Sequence, residues 1–97
     1  MSRRLIYSPA AKNDIDGILF YIAKDKPGAA VRFAAKLRAC CTPLARNPFV
    51  GEDCSLLAPR MRRITYAGYL IFFRVDDKNV EIARVIHGAR DWSPLFD

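Results

Sequence analysis

The feature that most constrains this chain is a change of hydrophobic period about three-fifths of the way along it. Up to Leu44 the apolar residues recur at three- and four-residue spacing, which is one face of a helix. From Met61 onward they come in runs rich in β-branched and aromatic side chains, MRRITYA, YLIFFRV and VEIARVIH, which suit a pleated sheet. A chain of 97 residues has room for one core, so the helical part and the sheet part must share it. Helices gathered on one face of a sheet make an α+β fold.

The finer reading follows from punctuation. A short strand is expected around Arg3 to Tyr7. Ser8-Pro9 then reads as a helix start, with serine placed to cap free N–H groups and proline at the first helical position. Ala11, Ile15, Ile18, Leu19 and Ile22 form the buried face of that helix, and Lys12, Asn13, Asp14 and Asp16 are polar positions around it. Asp25-Lys26-Pro27-Gly28 ends it, and Pro27 opens a second helix reaching about Ala45. Phe33, Leu37, Cys40 or Cys41, and Leu44 are its apolar stripe, and Pro43 is expected to disturb its last turn. So short a connection packs the two helices antiparallel. Arg46 to Pro59 contains two prolines and a glycine without a period, and reads as a connecting loop. Gly68 and Asp76 to Asn79 are tight turns between the three later strands, which predicts an antiparallel meander. The expected fold is therefore an N-terminal strand, an antiparallel helical hairpin and a small antiparallel β-sheet, in one domain spanning residues 1–97.

Composition narrows the function classes. Hydrophobic residues make up 52% of the chain, too many for a disordered segment. No apolar run approaches the length needed to cross a bilayer, and the N-terminus carries no signal-peptide pattern, so a cytoplasmic location and no membrane partner are expected. Three cysteines, two of them adjacent, form neither a disulfide framework nor a zinc-ligand pattern, so neither a metal nor another cofactor is expected. The net charge of +6 favours an acidic partner.

The candidate functional residues lie mainly in the second half. Arg60, Arg62, Arg63, Arg74, Arg84 and Arg90 lie on or beside the predicted strands, where guanidinium groups suit planar recognition of carboxylate or phosphate. Strict alternation places Arg84 with Ile82 and Ile86, and Arg74 with Leu70 and Phe72. Arginines among hydrophobes must be paired or reach water, and Asp76, Glu81 and Asp91 are available partners. Arg60, Arg62 and Arg63 are read as a surface cluster open to a partner. His87, the only histidine, shares a face with Ala83 and Val85 by alternation, which favours a ring covering the core edge over a proton-transfer group. Trp92, Leu95 and Phe96 either fold back over the sheet or form an exposed anchor, and sequence leaves both open.

The blocks SPAAKNDIDGILFYIA, PGAAVRFAAKLRACCTPLARNPFVGE and FFRVDDKNVEIARVIHGARD, in that order, resemble the ParE toxins of bacterial type II toxin–antitoxin modules, part of the wider RelE/ParE superfamily. The resemblance runs from about Leu5 to Asp91. It implies the same fold and two possible activities, since ParE-like members poison DNA gyrase and RelE- or YoeB-like members cut messenger RNA on the ribosome. For a gyrase poison it implies no catalytic residues, with Arg60, Arg62, Arg63, Arg74, Arg84, His87, Arg90 and Trp92 as the target- and antitoxin-binding set. It also implies a ParD-like antitoxin with a ribbon–helix–helix DNA-binding end, DNA being met only through antitoxin or gyrase. For a nuclease, His87 with Tyr69 or Tyr66 would move protons, and Arg62, Arg63 and Arg84 would hold phosphate. Against that alternative, Tyr69 stands where YoeB-like enzymes carry a catalytic arginine, and their His-Tyr pair falls near Gly88 and Ala89. The gyrase reading is the expectation.

Overall fold

The computed structural model describes residues 2–88. Strand β1 (Arg4–Tyr7) leads into helix α1 (Pro9–Asp25) and helix α2 (Pro27–Cys41). A 3₁₀ turn at Thr42–Ala45 and another at Pro48–Val50 precede strand β2 (Glu52–Asp53). Strands β3 (Met61–Tyr66), β4 (Tyr69–Val75) and β5 (Asn79–His87) complete the order. The helices start as the sequence dictates. The Ser8 hydroxyl accepts the Ala11 N–H at 3.0 Å, and each helix has proline in its first turn. Helix α2 gives way to the 3₁₀ turn at Thr42, one residue before Pro43, whose ring forbids a continued α-helical bond.

The five strands form one sheet in the order β1-β5-β4-β3-β2. The predicted meander of β3, β4 and β5 is antiparallel, but β1 runs parallel to β5, so the sheet is mixed. The cause is topological. β1 and α1 carry the chain in one direction, and α2 with its 3₁₀ turn returns it, so that the Arg3 N–H reaches Ala45 O at 2.8 Å. β3 therefore sets out from the same end as β1. After two reversals β5 again has the direction of β1 and accepts it as a neighbour. The second difference is β2, a two-residue strand inside the expected loop, pairing Glu52 with Arg63 and Asp53 with Arg62.

Two apolar layers result. On the helical face Ala11, Leu37, Cys41 and Leu44 meet Ile71, Phe73, Val80, Ile82 and Val85, all 2% exposed or less. Of the two adjacent cysteines it is Cys41 that enters this core. On the other face Met61, Phe72 and Ile86 are buried, with Cys54, Leu57 and Ala58 of the β2–β3 segment packed against them. Gly51 ends the Pro48–Val50 turn against the core, where a Cβ would stand 2.6 Å from the Phe73 ring. Glycine is needed there for space.

A β-bulge changes the face assignments in β5. Phe73 pairs with Ile82 and Phe72 with Arg84, so Ala83 is an extra residue and the alternation resets. Ile82 and Ile86 consequently lie in opposite layers, which corrects the expectation that Arg84 shares one face with both. Val85 and His87 stay together on the helical side, whereas Ala83 packs in the other layer.

Candidate functional site

β1 pairs with β5 only as far as Ile82, leaving the next stretch of β5 without a strand neighbour on that side. The first turns of α1 cover it. The Ser8 N–H bonds to Ile82 O at 2.9 Å and the Ser8 hydroxyl to Ala83 O at 2.8 Å. Asp14 then accepts the Val85 N–H at 2.9 Å and holds Arg84 in a two-pronged pair, Nε to Oδ2 at 2.8 Å and Nη2 to Oδ1 at 2.9 Å. Both side chains are mostly shielded, and the hydrogen bond to Asp14 raises the Arg84 pKa. Asp14 acts as a one-residue substitute for a missing strand.

The other strand arginines are also held within the chain. Arg63 donates to Glu52 at 2.8 Å across the β2–β3 pair, and that bond raises its pKa. Arg74 faces Glu81 across β4 and β5, with Nη1 3.4 Å from Oε1. Arg62 donates from Nη2 to Gly51 O at 2.6 Å and from Nε to the same oxygen at 3.1 Å, fastening the Pro48–Val50 turn. Its guanidinium and that of Arg3 each lie 5.4 Å from the centre of the Phe49 ring. Arg60 differs from these four. It is exposed, its backbone has φ 62°, and its side chain makes no hydrogen bond or ion pair among the described residues, although its charge reaches Asp76.

His87 is exposed at the far end of β5, and its ring meets Tyr69 edge-on at 5.2 Å. Tyr69 in turn meets Phe33 of α2 at 5.4 Å, and Phe33 meets Tyr66 at 5.7 Å. His87 is thus the outermost ring of an aromatic group that closes this end of the helical layer. A groove of about 440 Å³ beside it is lined by Asn13, Gly17 and Tyr21 of α1.

The structure brings His87 and Tyr69 together but separates them from Arg62. Arg62 pairs with Phe73, four residues along β4 from Tyr69, which is roughly 13 Å of strand. Arg84 lies closer to His87 but is fastened to Asp14. Arg90 and Trp92, like Asp91, Leu95 and Phe96, lie outside the described residues. Asp14, Glu52 and Phe49 were not singled out from sequence. Nothing local marks Asp14 as the partner of a residue seventy positions away. Glu81 opposite Arg74 follows directly from the hairpin. Among the described residues no three His, Cys, Asp or Glu side chains are grouped to hold a metal ion, and no helix is long and apolar enough to cross a membrane.

Comparison with known proteins places this architecture. The protein Y4kP of Sinorhizobium fredii is 32% identical over 97 residues, covering 99% of this chain and all of its own. Toxin ParE1 of Mycobacterium tuberculosis is 28% identical over 94 residues, 94% of this chain and 95% of that one. Among solved structures, a chain of the chromosomal ParDE toxin–antitoxin system from P. aeruginosa superposes with a TM-score of 0.76 at 21% identity, covering 89% of this chain and 96% of its own. A chain of the M. tuberculosis toxin–antitoxin complex RelBE2 superposes with a TM-score of 0.56 at 23% identity, covering 90% of this chain and 99% of its own. The family model for the ParE toxin of the type II toxin–antitoxin system parDE matches residues 5–92. The chain belongs to the ParE toxin family.

Proposed function

We propose that this ParE-family toxin acts by binding DNA gyrase in the cytoplasm rather than by cutting RNA, and that a ParD-like antitoxin neutralises it. The observation that carries this reading is the state of the arginines. A nuclease of the RelE kind needs cationic groups on the scissile phosphate beside a proton donor and acceptor. Here Arg63, Arg74 and Arg84 are each joined to a carboxylate of their own chain, and Arg62 to backbone carbonyls. Releasing Arg84 for phosphate would leave the shielded Asp14 carboxylate unpaired. On the sheet face away from the helices Met61, Phe72 and Ile86 are buried beneath Cys54, Leu57 and Ala58, side chains that pack and do not transfer protons. The net charge of +6 favours an acidic partner and supports an antitoxin segment that orders on contact.

Supercoiling and DNA-cleavage assays with purified gyrase test the reading. Loss of supercoiling with accumulation of cleaved DNA is expected, while messages in a translating extract stay intact. Cleaved messages with unaffected gyrase would overturn it. The variant His87→Ala separates the two mechanisms further: a binding toxin keeps most of its effect on gyrase, whereas a nuclease using this imidazole loses message cleavage while remaining folded.

A further inference from the structure

The end of the sheet that carries the β4–β5 turn opens into a groove of about 500 Å³. Arg60 stands at its wall in the left-handed backbone region, φ 62°, which side chains other than glycine enter at a cost. The fold needs that conformation: the Arg60 carbonyl accepts the Val75 N–H at 3.2 Å and closes the sheet's end. It needs no arginine there, because glycine supplies the same carbonyl without strain. Within the described residues the guanidinium forms no hydrogen bond or ion pair, unlike those of Arg62, Arg63, Arg74 and Arg84. A strained position whose guanidinium makes no internal bond, and acts within the chain only through the charge that reaches Asp76, points outward, to a contact with another molecule.

The surroundings say what kind. Phe49 lines the same groove, 59% exposed, on a turn that Arg62 holds in place. Arg3 and Arg62 converge on its ring, and Lys78 adds a fourth positive charge to the wall. Three carboxylates also line it, against the four cations: Asp77, and two that are turned onto backbone, Asp53 accepting the Ser55 N–H at 2.8 Å and Asp76 those of Lys78 and Asn79 at 2.8 and 2.7 Å. A continuous polyanion would meet these acids as well as the arginines. An extended peptide can alternate, setting a carboxylate against a cation and an apolar side chain on the ring.

We propose that this groove receives an acidic peptide segment, one carboxylate of which pairs with Arg60 while a neighbouring apolar side chain lies on Phe49. The site rests on the toxin reading above only for who supplies the segment, the antitoxin being the expected source.

The experiment uses the whole chain and a short peptide alternating glutamate with leucine and phenylalanine, its glutamine counterpart, and an oligothymidine of equal charge. On titration, the resonances of Phe49, Arg60 and Lys78 shift with the glutamate peptide, and the glutamine peptide binds more weakly. Arg60→Gly lowers affinity roughly tenfold while the thermal midpoint holds or rises, and Arg60→Lys keeps most of the affinity. Shifts centred elsewhere, unchanged binding by Arg60→Gly, or a fall in its thermal midpoint would overturn the proposal. So would tighter binding of the oligothymidine, which would make the groove a nucleic-acid site. Failure of the gyrase assay alone would leave these results untouched, so the two readings fail separately.

Discussion

Asp14 does two things with one carboxylate: it ends an open strand edge by accepting the Val85 N–H, and it neutralises Arg84. Both partners are mostly shielded, so removing one leaves the other without water to replace it. Asp14→Ala is therefore expected to cost about 2–3 kcal/mol in urea denaturation, well above an exposed ion pair. The double variant Asp14→Leu with Arg84→Met removes both charges and should recover part of that loss. If the single and double variants are equally unstable, the carboxylate matters only for the backbone N–H. Arg63 and Arg74 have partners that are more exposed, Glu52 and Glu81, and their pairs should contribute less.

At the scale of elements, the β3–β4 hairpin turns through Ala67 at φ 51° and Gly68 at φ 83°. Positive φ at both central residues is the turn that matches strand twist, and asparagine-glycine is its preferred pair. Ala67→Asn should gain about 0.5–1 kcal/mol and raise the thermal midpoint by a few degrees, checked by calorimetry. A lower midpoint would mean that the strain is relieved elsewhere. Most elements were legible because their signals are local: Ser8-Pro9 at a helix start, Pro43 at a helix end, and the turns that set the meander. What escaped depends on distant parts of the chain. The bulge at Ala83 arises where the edge of β5 passes from β1 to α1, and only contact with both reveals it. The second apolar layer was readable in principle, since an unbroken run such as Tyr69 to Phe73 signals burial on both faces. At the candidate site, the arginines were legible as residue types, whereas their partners were not, apart from Glu81. Strand pairing brings Glu52 to Arg63, and helix packing brings Asp14 to Arg84, so neither follows from spacing.

For the molecule as a whole, sheet and helices are coupled where Tyr7 of β1 packs against the core that holds Cys41 of α2. Burial is the largest cause that pushes both pKa values up. Each group is neutral when protonated, so the folded state binds these protons more tightly than the unfolded chain does. Their contribution is complete below the unfolded values, about pH 8.5 for cysteine and 10 for tyrosine, and is lost as pH rises toward the folded ones. Stability should thus fall from about pH 9 upward, and Tyr7→Phe with Cys41→Ala should flatten that decline. Urea midpoints between pH 8 and 10.5 provide the check; parallel declines in both proteins would assign the alkaline loss to other groups.

The parallel seat of β1 on β5 also has a consequence for biosynthesis. Arg4 lies beside Asn79 and Tyr7 beside Ile82, so the earliest strand waits for nearly the last one to be translated. Such distant partners make closure of the sheet a late and comparatively slow event. An emerging polypeptide can form the helical hairpin early, yet it lacks the Arg84–Asp14 clasp and the finished rim until residues beyond 84 have left the ribosome. A growing copy therefore carries the helical hairpin without the closed sheet, and the complete binding surface exists only in the finished molecule.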